Sequence, residues 1–230
     1  MMEQVYLLKY LVDRTKHRMV DRQQQPCYNK NMKKWKDLDR LILTDCDGVC
    51  LDWEWAFNVW MQEHGFEEVP GSKLQYDMSI RYNVTKEQIR KLIKVFNESA
   101  AIGFLPAQRD AMYYIKRLHE EYGFRFHAIT SLSLDPNAQK LREMNIHKLF
   151  GPSAFERIVC LDTGAHKDEA LEEYEGTGAW WIEDKPENAE AGYRMGLKCL
   201  LLEHGHNMHH YHPGVTLVKN WREIFNLITK

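Results

Sequence analysis

The sequence predicts an α/β protein built on a doubly wound parallel sheet, and three observations carry that expectation. Short apolar runs alternate with helical segments from Leu41 to the carboxyl end, the pattern of strands joined by right-handed crossovers. The first run, Leu41-Ile42-Leu43, is apolar at consecutive rather than alternate positions, as in a strand buried on both faces. The runs also end in polar or charged residues, at the sheet edge where open parallel sheets bind their ligands.

The elements follow in order. Residues 41–44 form the first strand. Residues 53–65 read as a helix with Trp53, Phe57, Trp60 and Met61 at helical spacing. Thr85 with Gln88 three residues on is a capping box, opening a helix to about residue 97. A helix over 109–122 precedes a strand at 125–129. Helix 137–144, strand 157–161, short helix 167–174 and strand 179–182 come next. Helix 187–195, strand 198–202 and a closing helix over 221–228 complete the pattern.

Length and composition limit the alternatives. A chain of 230 residues with 44% hydrophobic and 28% charged side chains suits one soluble domain with room for a small insertion. A net charge of −2 gives no whole-molecule attraction to nucleic acid or anionic lipid. No run approaches the ~20 apolar residues of a membrane span, and the first thirty residues lack a secretory pattern. Five cysteines, an odd number without paired spacing, fit neither a disulfide framework nor a zinc knuckle. The expectation is a reduced, cytoplasmic protein. Residues 1–37 read as a basic extension: the first forty residues carry ten basic side chains against five acidic ones. Gln23-Gln24-Gln25-Pro26 interrupts any helix there, and Met32 is an alternative start ahead of the folded pattern at about Leu38.

The strand ends carry the chemistry. The first ends in Asp45-Cys46-Asp47-Gly48, the second in Thr130-Ser131, the fourth in Glu183-Asp184-Lys185-Pro186, and Lys167 follows the third. Carboxylates gathered at one edge repel unless a cation lies between them. Hard oxygen ligands with open positions suit Mg²⁺, and such a centre beside a lysine and hydroxyls can hold a phosphoryl group. Asp45 is placed to attack phosphorus. Asp47, two residues on, is placed to protonate the leaving oxygen and then deprotonate water. An EF-hand reading of Asp-x-Asp-Gly fails because Ala56 stands where a closing glutamate is needed.

These residues resemble the haloacid dehalogenase superfamily of Mg²⁺-dependent phosphatases, with four motifs in order over residues 41 to about 203. The resemblance implies a Rossmann-like core with Asp45 as nucleophile and Asp47 as acid/base. It makes Thr130 the phosphate-binding hydroxyl and Lys167 the residue that stabilises the phospho-aspartate. The metal would be held by Asp45, Asp184 and Asp47, the last through its main-chain carbonyl. The sequence is most similar to the 5′(3′)-deoxyribonucleotidases and related phage or bacterial proteins. Residues 98–105 resemble their approach to the second motif, and Ile182-Glu183-Asp184-Lys185-Pro186 is similar to their Ile-Asp-Asp-Arg-Pro. That likeness implies a helical cap at 53–105 inserted into a core of 38–52 and 106–230, with Trp53 facing the nucleotide. The sequence departs from the pattern at Glu183, at Ala165-His166 before Lys167, and in extra residues around 172–176.

Other residues have two readings. Ser131 and Lys140 are expected at the substrate phosphate, with Arg142 as a second cation nearby; both cations equally suit a solvated helix. Stacking of a base on Trp53 would be worth ~1–3 kcal/mol, whereas most of Trp55, Phe57, Tyr76 and Tyr82 are expected to pack together. His204, His206, His209, His210 and His212 can form a soft-metal cluster or a loop at the mouth of the site. Cys46 is expected to be a buried spacer. The leading expectation is a phosphomonoesterase acting on (deoxy)nucleoside monophosphates. The alternatives are a 3′-phosphatase on nucleic-acid ends, using the basic extension as its arm, and a non-catalytic interaction module.

Overall fold

The fold was analysed in a computed structural model that describes residues 38–230; the basic 1–37 segment, with Met32, lies outside the described residues. Six parallel strands form one sheet in the order β3-β2-β1-β4-β5-β6. They are β1 (Leu41–Thr44), β2 (Arg125–Thr130), β3 (Phe155–Cys160), β4 (Trp180–Glu183), β5 (Lys198–Leu202) and β6 (Val215–Val218). The strand order reverses at β1, which leaves a crevice at its carboxyl end. All four β1 residues are buried, as a central strand covered on both faces requires.

Alternation along β1 feeds two apolar layers. Ile42 joins the larger one, with Phe126 and Ala128 of β2 and residues from α1 (Trp53–Glu63), α3 (Lys86–Asn97), α4 (Ala111–Glu120), α5 (Pro136–Phe150) and α8 (Trp221–Ile228). Leu41 and Leu43 join the smaller one, under α6 (Asp168–Glu172) and α7 (Pro186–Arg194). Phe57, Trp60, Met61, Leu92 and Phe96 from the 53–105 segment lie in the same continuous cluster as the sheet residues. The helices inserted after β1 therefore share the sheet's core.

The local signals explain most element starts. Thr85 and Gln88 form the expected reciprocal cap of α3. Asp135 accepts from Asn137 and Ala138 ahead of Pro136, which opens α5. Asp110 accepts at 3.1 Å from the amides of both Trp221 and Arg222, and so caps α8 across 111 and 112 residues of sequence. Trp221 is fully buried, and its indole donates to the Val49 carbonyl at 2.8 Å, tying α8 to the loop after β1.

Three differences from the sequence reading have physical causes. The sequence reading assigns no element between residues 202 and 221, where β6 forms; it is a four-residue edge strand in which only Val218 is buried. α2 (Met78–Arg81) is a single turn held by the Asp77 carboxylate on the Ser79 amide and hydroxyl, too short to show a period. α5 runs on to Phe150 because Ile146 and Phe150 are buried beyond the expected stop.

Candidate active site

Asp45 directly follows β1, and its amide donates to the Ile182 carbonyl of β4 at 2.9 Å, fixing the loop in the crevice. The next turn depends on Gly48, which has φ +78°. A Cβ there would collide with the Asp184 carboxylate, so only glycine lets the two loops approach this closely. The Gly48 carbonyl accepts from His204 Nε2 at 2.7 Å. The Asp184 carbonyl accepts from Asn207 Nδ2 at 2.6 Å. The loop after β5 thus braces both acidic loops.

The buried Lys167 ammonium links Asp45 Oδ1, at 2.8 Å, to Glu183 Oε1, at 2.7 Å. Glu183 Oε1 also accepts from Asn188 Nδ2, and Oε2 accepts from the amides of Asp184 and Lys185. Both of its oxygens are therefore committed to protein donors. Burial pushes the Asp45 carboxyl up to about 7 against the pull of Lys167. Burial and the nearby charges of Glu183 and Asp45 raise Asp184 well above the usual carboxylate range. Burial works against the Glu183 charge too, yet the Lys167 ammonium holds this carboxyl below its ordinary value. Lys167 in turn is raised, because its two carboxylate partners outweigh the cost of burial.

Asp45, Glu183 and Asp184 each offer an oxygen within 4.8 Å of the others, the one such acidic or histidine/cysteine group among the described residues. With Glu183 saturated, Asp45 and Asp184 remain as carboxylates crowded together and pushed toward protonation. That donor set fits a hard divalent cation, which would relieve the crowding. Replacing Asp184 by Asn is expected to raise the thermal midpoint of the EDTA-treated protein, by about 2–4 °C for each kcal/mol of repulsion relieved. The same substitution should remove the upward shift that MgCl₂ gives the native protein; differential scanning fluorimetry reads both.

A cleft of about 1250 Å³ opens above these groups. Asp45, Asp47, Trp53, Ser131, Lys167 and Asp184 all line it, so most of the residues expected from the sequence converge. Trp53 serves as both wall and core: it stacks on Phe57 with centroids 4.7 Å apart and donates to Asn97 Oδ1 at 2.9 Å. Lys86, Arg90 and Lys94, spaced one turn apart on α3, also line the cleft.

Three expected placements change. Thr130 is fully buried on the sheet face it shares with Ala128 and does not line the cleft; its hydroxyl has no hydrogen-bond partner among the described residues. The next residue, Ser131, faces the cleft and donates to the Ala165 carbonyl at 2.8 Å, as alternation along a strand demands. Lys140 lines a separate hollow of about 310 Å³ with Glu143, His147 and Glu156, away from the carboxylates. Arg142 is fully buried and grips Asp47 with both terminal nitrogens, at 2.5 and 3.0 Å.

The histidine run divides. His204 and His206 line the cleft, while His210 pairs with Glu190 at 3.3 Å and His212 accepts from the Gly214 amide. Burial keeps the His204 and His206 imidazoles below their usual value, favouring the neutral form. Cys46 is buried, and burial pushes its thiol well above normal, as a spacer rather than a nucleophile requires.

A six-stranded parallel sheet with acidic groups gathered beyond β1 and β4 defines the haloacid dehalogenase-like fold class, and comparison with solved structures shows this fold. A haloacid dehalogenase-like family hydrolase from Streptococcus pneumoniae superposes with TM-score 0.57 at 17% identity, covering 82% of this chain and 97% of that one. CbbY from Rhodobacter sphaeroides, solved in complex with phosphate, superposes with TM-score 0.52 at 20% identity, covering 80% and 96%. In sequence, an uncharacterized 32.4 kDa protein of Enterobacteria phage T4 is 32% identical over 134 residues, 56% of this chain and 47% of the phage protein. The match thus spans about half the length of that relative. No family model matches the chain. No helix among the described residues is long and apolar enough to cross a membrane.

Proposed function

We propose that the protein is a Mg²⁺-dependent phosphomonoesterase that works through an aspartyl phosphate on Asp45, with (deoxy)nucleoside monophosphates as substrates. The observation that carries the reading is the juxtaposition of Asp45, Lys167 and Asp184 on the floor of a large cleft that Asp47 also lines. Asp45 attacks phosphorus as the bond to the leaving oxygen breaks, and Asp47 supplies the proton to that oxygen. Water then attacks the same phosphorus, Asp47 takes its proton, and the Asp45 carboxylate is released. Lys167 offsets charge on the phosphoryl oxygens and on Asp45 throughout. Asp45, Asp184 and the Asp47 carbonyl would hold the cation, which when bound offsets further negative charge on the phosphoryl group.

The nucleotide assignment is supported by the Trp53 wall and by the cations of α3 over the same cleft. The reaction is tested by a phosphate-release screen over nucleotides, sugar phosphates and phosphorylated oligonucleotides, with MgCl₂ or EDTA. Release from nucleoside monophosphates, lost in EDTA and restored by Mg²⁺, is the expected result. Release confined to sugar phosphates or to oligonucleotide ends would overturn the substrate assignment, and release unaffected by EDTA would overturn the metal.

A further inference from the structure

The acid/base of the proposed reaction is not a free side chain. Asp47 lies on the loop after β1, with 22% of its side chain exposed to the cleft. Arg142 comes from α5, is fully buried and does not line the cleft. Its Nη1 donates to Asp47 Oδ1 at 2.5 Å and its Nη2 to Oδ2 at 3.0 Å. The guanidinium therefore meets the carboxylate from the protein side and leaves its other edge open to the cleft. The Arg142 Nε is also buried, with no hydrogen-bond partner among the described residues, so Asp47 alone accepts hydrogen bonds from this guanidinium there. α5 is itself held in place: Ile146 and Phe150 are in the core, and Asn145 donates to the Leu105 carbonyl at 3.0 Å.

A paired fork of this kind fixes both the position and the plane of a carboxylate, which a single ammonium contact does not. Each Asp47 oxygen has a second lone pair besides the one Arg142 engages, and the side chain lines the cleft. We propose that Arg142 is a positioning residue for catalysis: its two-point clamp holds Asp47 in the orientation that passes a proton to the leaving oxygen and takes one from the attacking water. The proposal rests on the phosphomonoesterase reading. A buried Arg–Asp pair also contributes to folding, so the test must separate orientation from stability.

Two substrates do this. Nitrophenolate leaves p-nitrophenyl phosphate without needing a proton, whereas the alkoxide of a deoxynucleoside monophosphate needs one. In Arg142→Gln, turnover of the deoxynucleoside monophosphate is expected to fall ~100-fold or more, the usual worth of a positioned acid or base, with KM little changed. With p-nitrophenyl phosphate the same variant should release one equivalent of nitrophenolate per enzyme at a near-native rate. A slow phase should follow, because hydrolysis of the aspartyl phosphate still needs Asp47. Asp47→Asn should show the same burst. Arg142→Lys, which keeps the charge but not the fork, should behave like the Gln variant and carries the test if the latter does not melt cooperatively.

Unchanged turnover of both substrates would overturn the proposal, as would parallel loss of burst and steady state in a variant that melts like the native protein. Asp45→Asn separates the two levels of inference. If that variant matches an active native protein, the covalent route fails; if the native protein releases no phosphate, the enzyme reading fails; either outcome takes the Arg142 assignment with it. If Asp45→Asn is inactive and the Arg142 variants show no burst, only the Arg142 assignment fails.

Discussion

Asp45→Asn is expected to reduce phosphate release by about four orders of magnitude or more, the scale of loss when a covalent nucleophile is removed. The fold should survive, because the Lys167–Glu183 contact at 2.7 Å remains and a buried carboxyl already pushed up to about 7 becomes a neutral amide. Incubation with substrate and an acid quench should give native protein carrying one phosphoryl group, seen by mass spectrometry, and none on the variant. A variant retaining phosphate release would remove the covalent route, whatever the fate of the substrate assignment.

The largest effect on stability is expected at Lys167. Lys167 is 1% exposed and its ammonium lies between Asp45 and Glu183, which are grouped with Asp184. Lys167→Met keeps the aliphatic stem but leaves buried carboxylates without their cation, a loss of about 3–5 kcal/mol when one partner of a buried pair is removed. The urea midpoint reads it. Combining Lys167→Met with Glu183→Gln should recover part of that loss, since the second change removes one of the stranded charges. Activity should stay absent in both, because neither restores a cation beside Asp45. Full additivity of the two losses would mean that the contact at 2.7 Å carries no coupling.

The same residues show what the sequence could and could not disclose. β1, β2, β4 and β5 are largely buried strands with turn chemistry at their ends, whereas β6 is a four-residue strand at the sheet edge with only Val218 buried. Asp45, Asp47 and Asp184 are legible because open parallel sheets put reactive groups just past their strands. The supporting partners come from long-range packing and leave no local pattern: Arg142 is 95 positions from Asp47, and Asn97 is 44 from Trp53. Glu183 stands beside Asp184 in the sequence, but two of its four donors, the Lys167 ammonium and the Asn188 amide, reach it only in the folded chain. Lys140 and Arg142 read alike as cations near the second strand. Two residues apart on a helix they project in different directions, so one meets Asp47 and the other a hollow beyond the cleft. The Thr130–Ser131 pair was separated in the same way, by the two-residue repeat of the strand.

The indole of Trp221, anchored on the Val49 carbonyl across 172 positions, makes α8 a strut for the loop that carries Asp45 and Asp47. Its effect is indirect, since Trp221 itself does not line the cleft. On the proposed reaction, damage to this helix is expected to surface first as slower phosphate release, in a protein whose sheet is still intact and whose Asp45, Asp47 and Lys167 are still present.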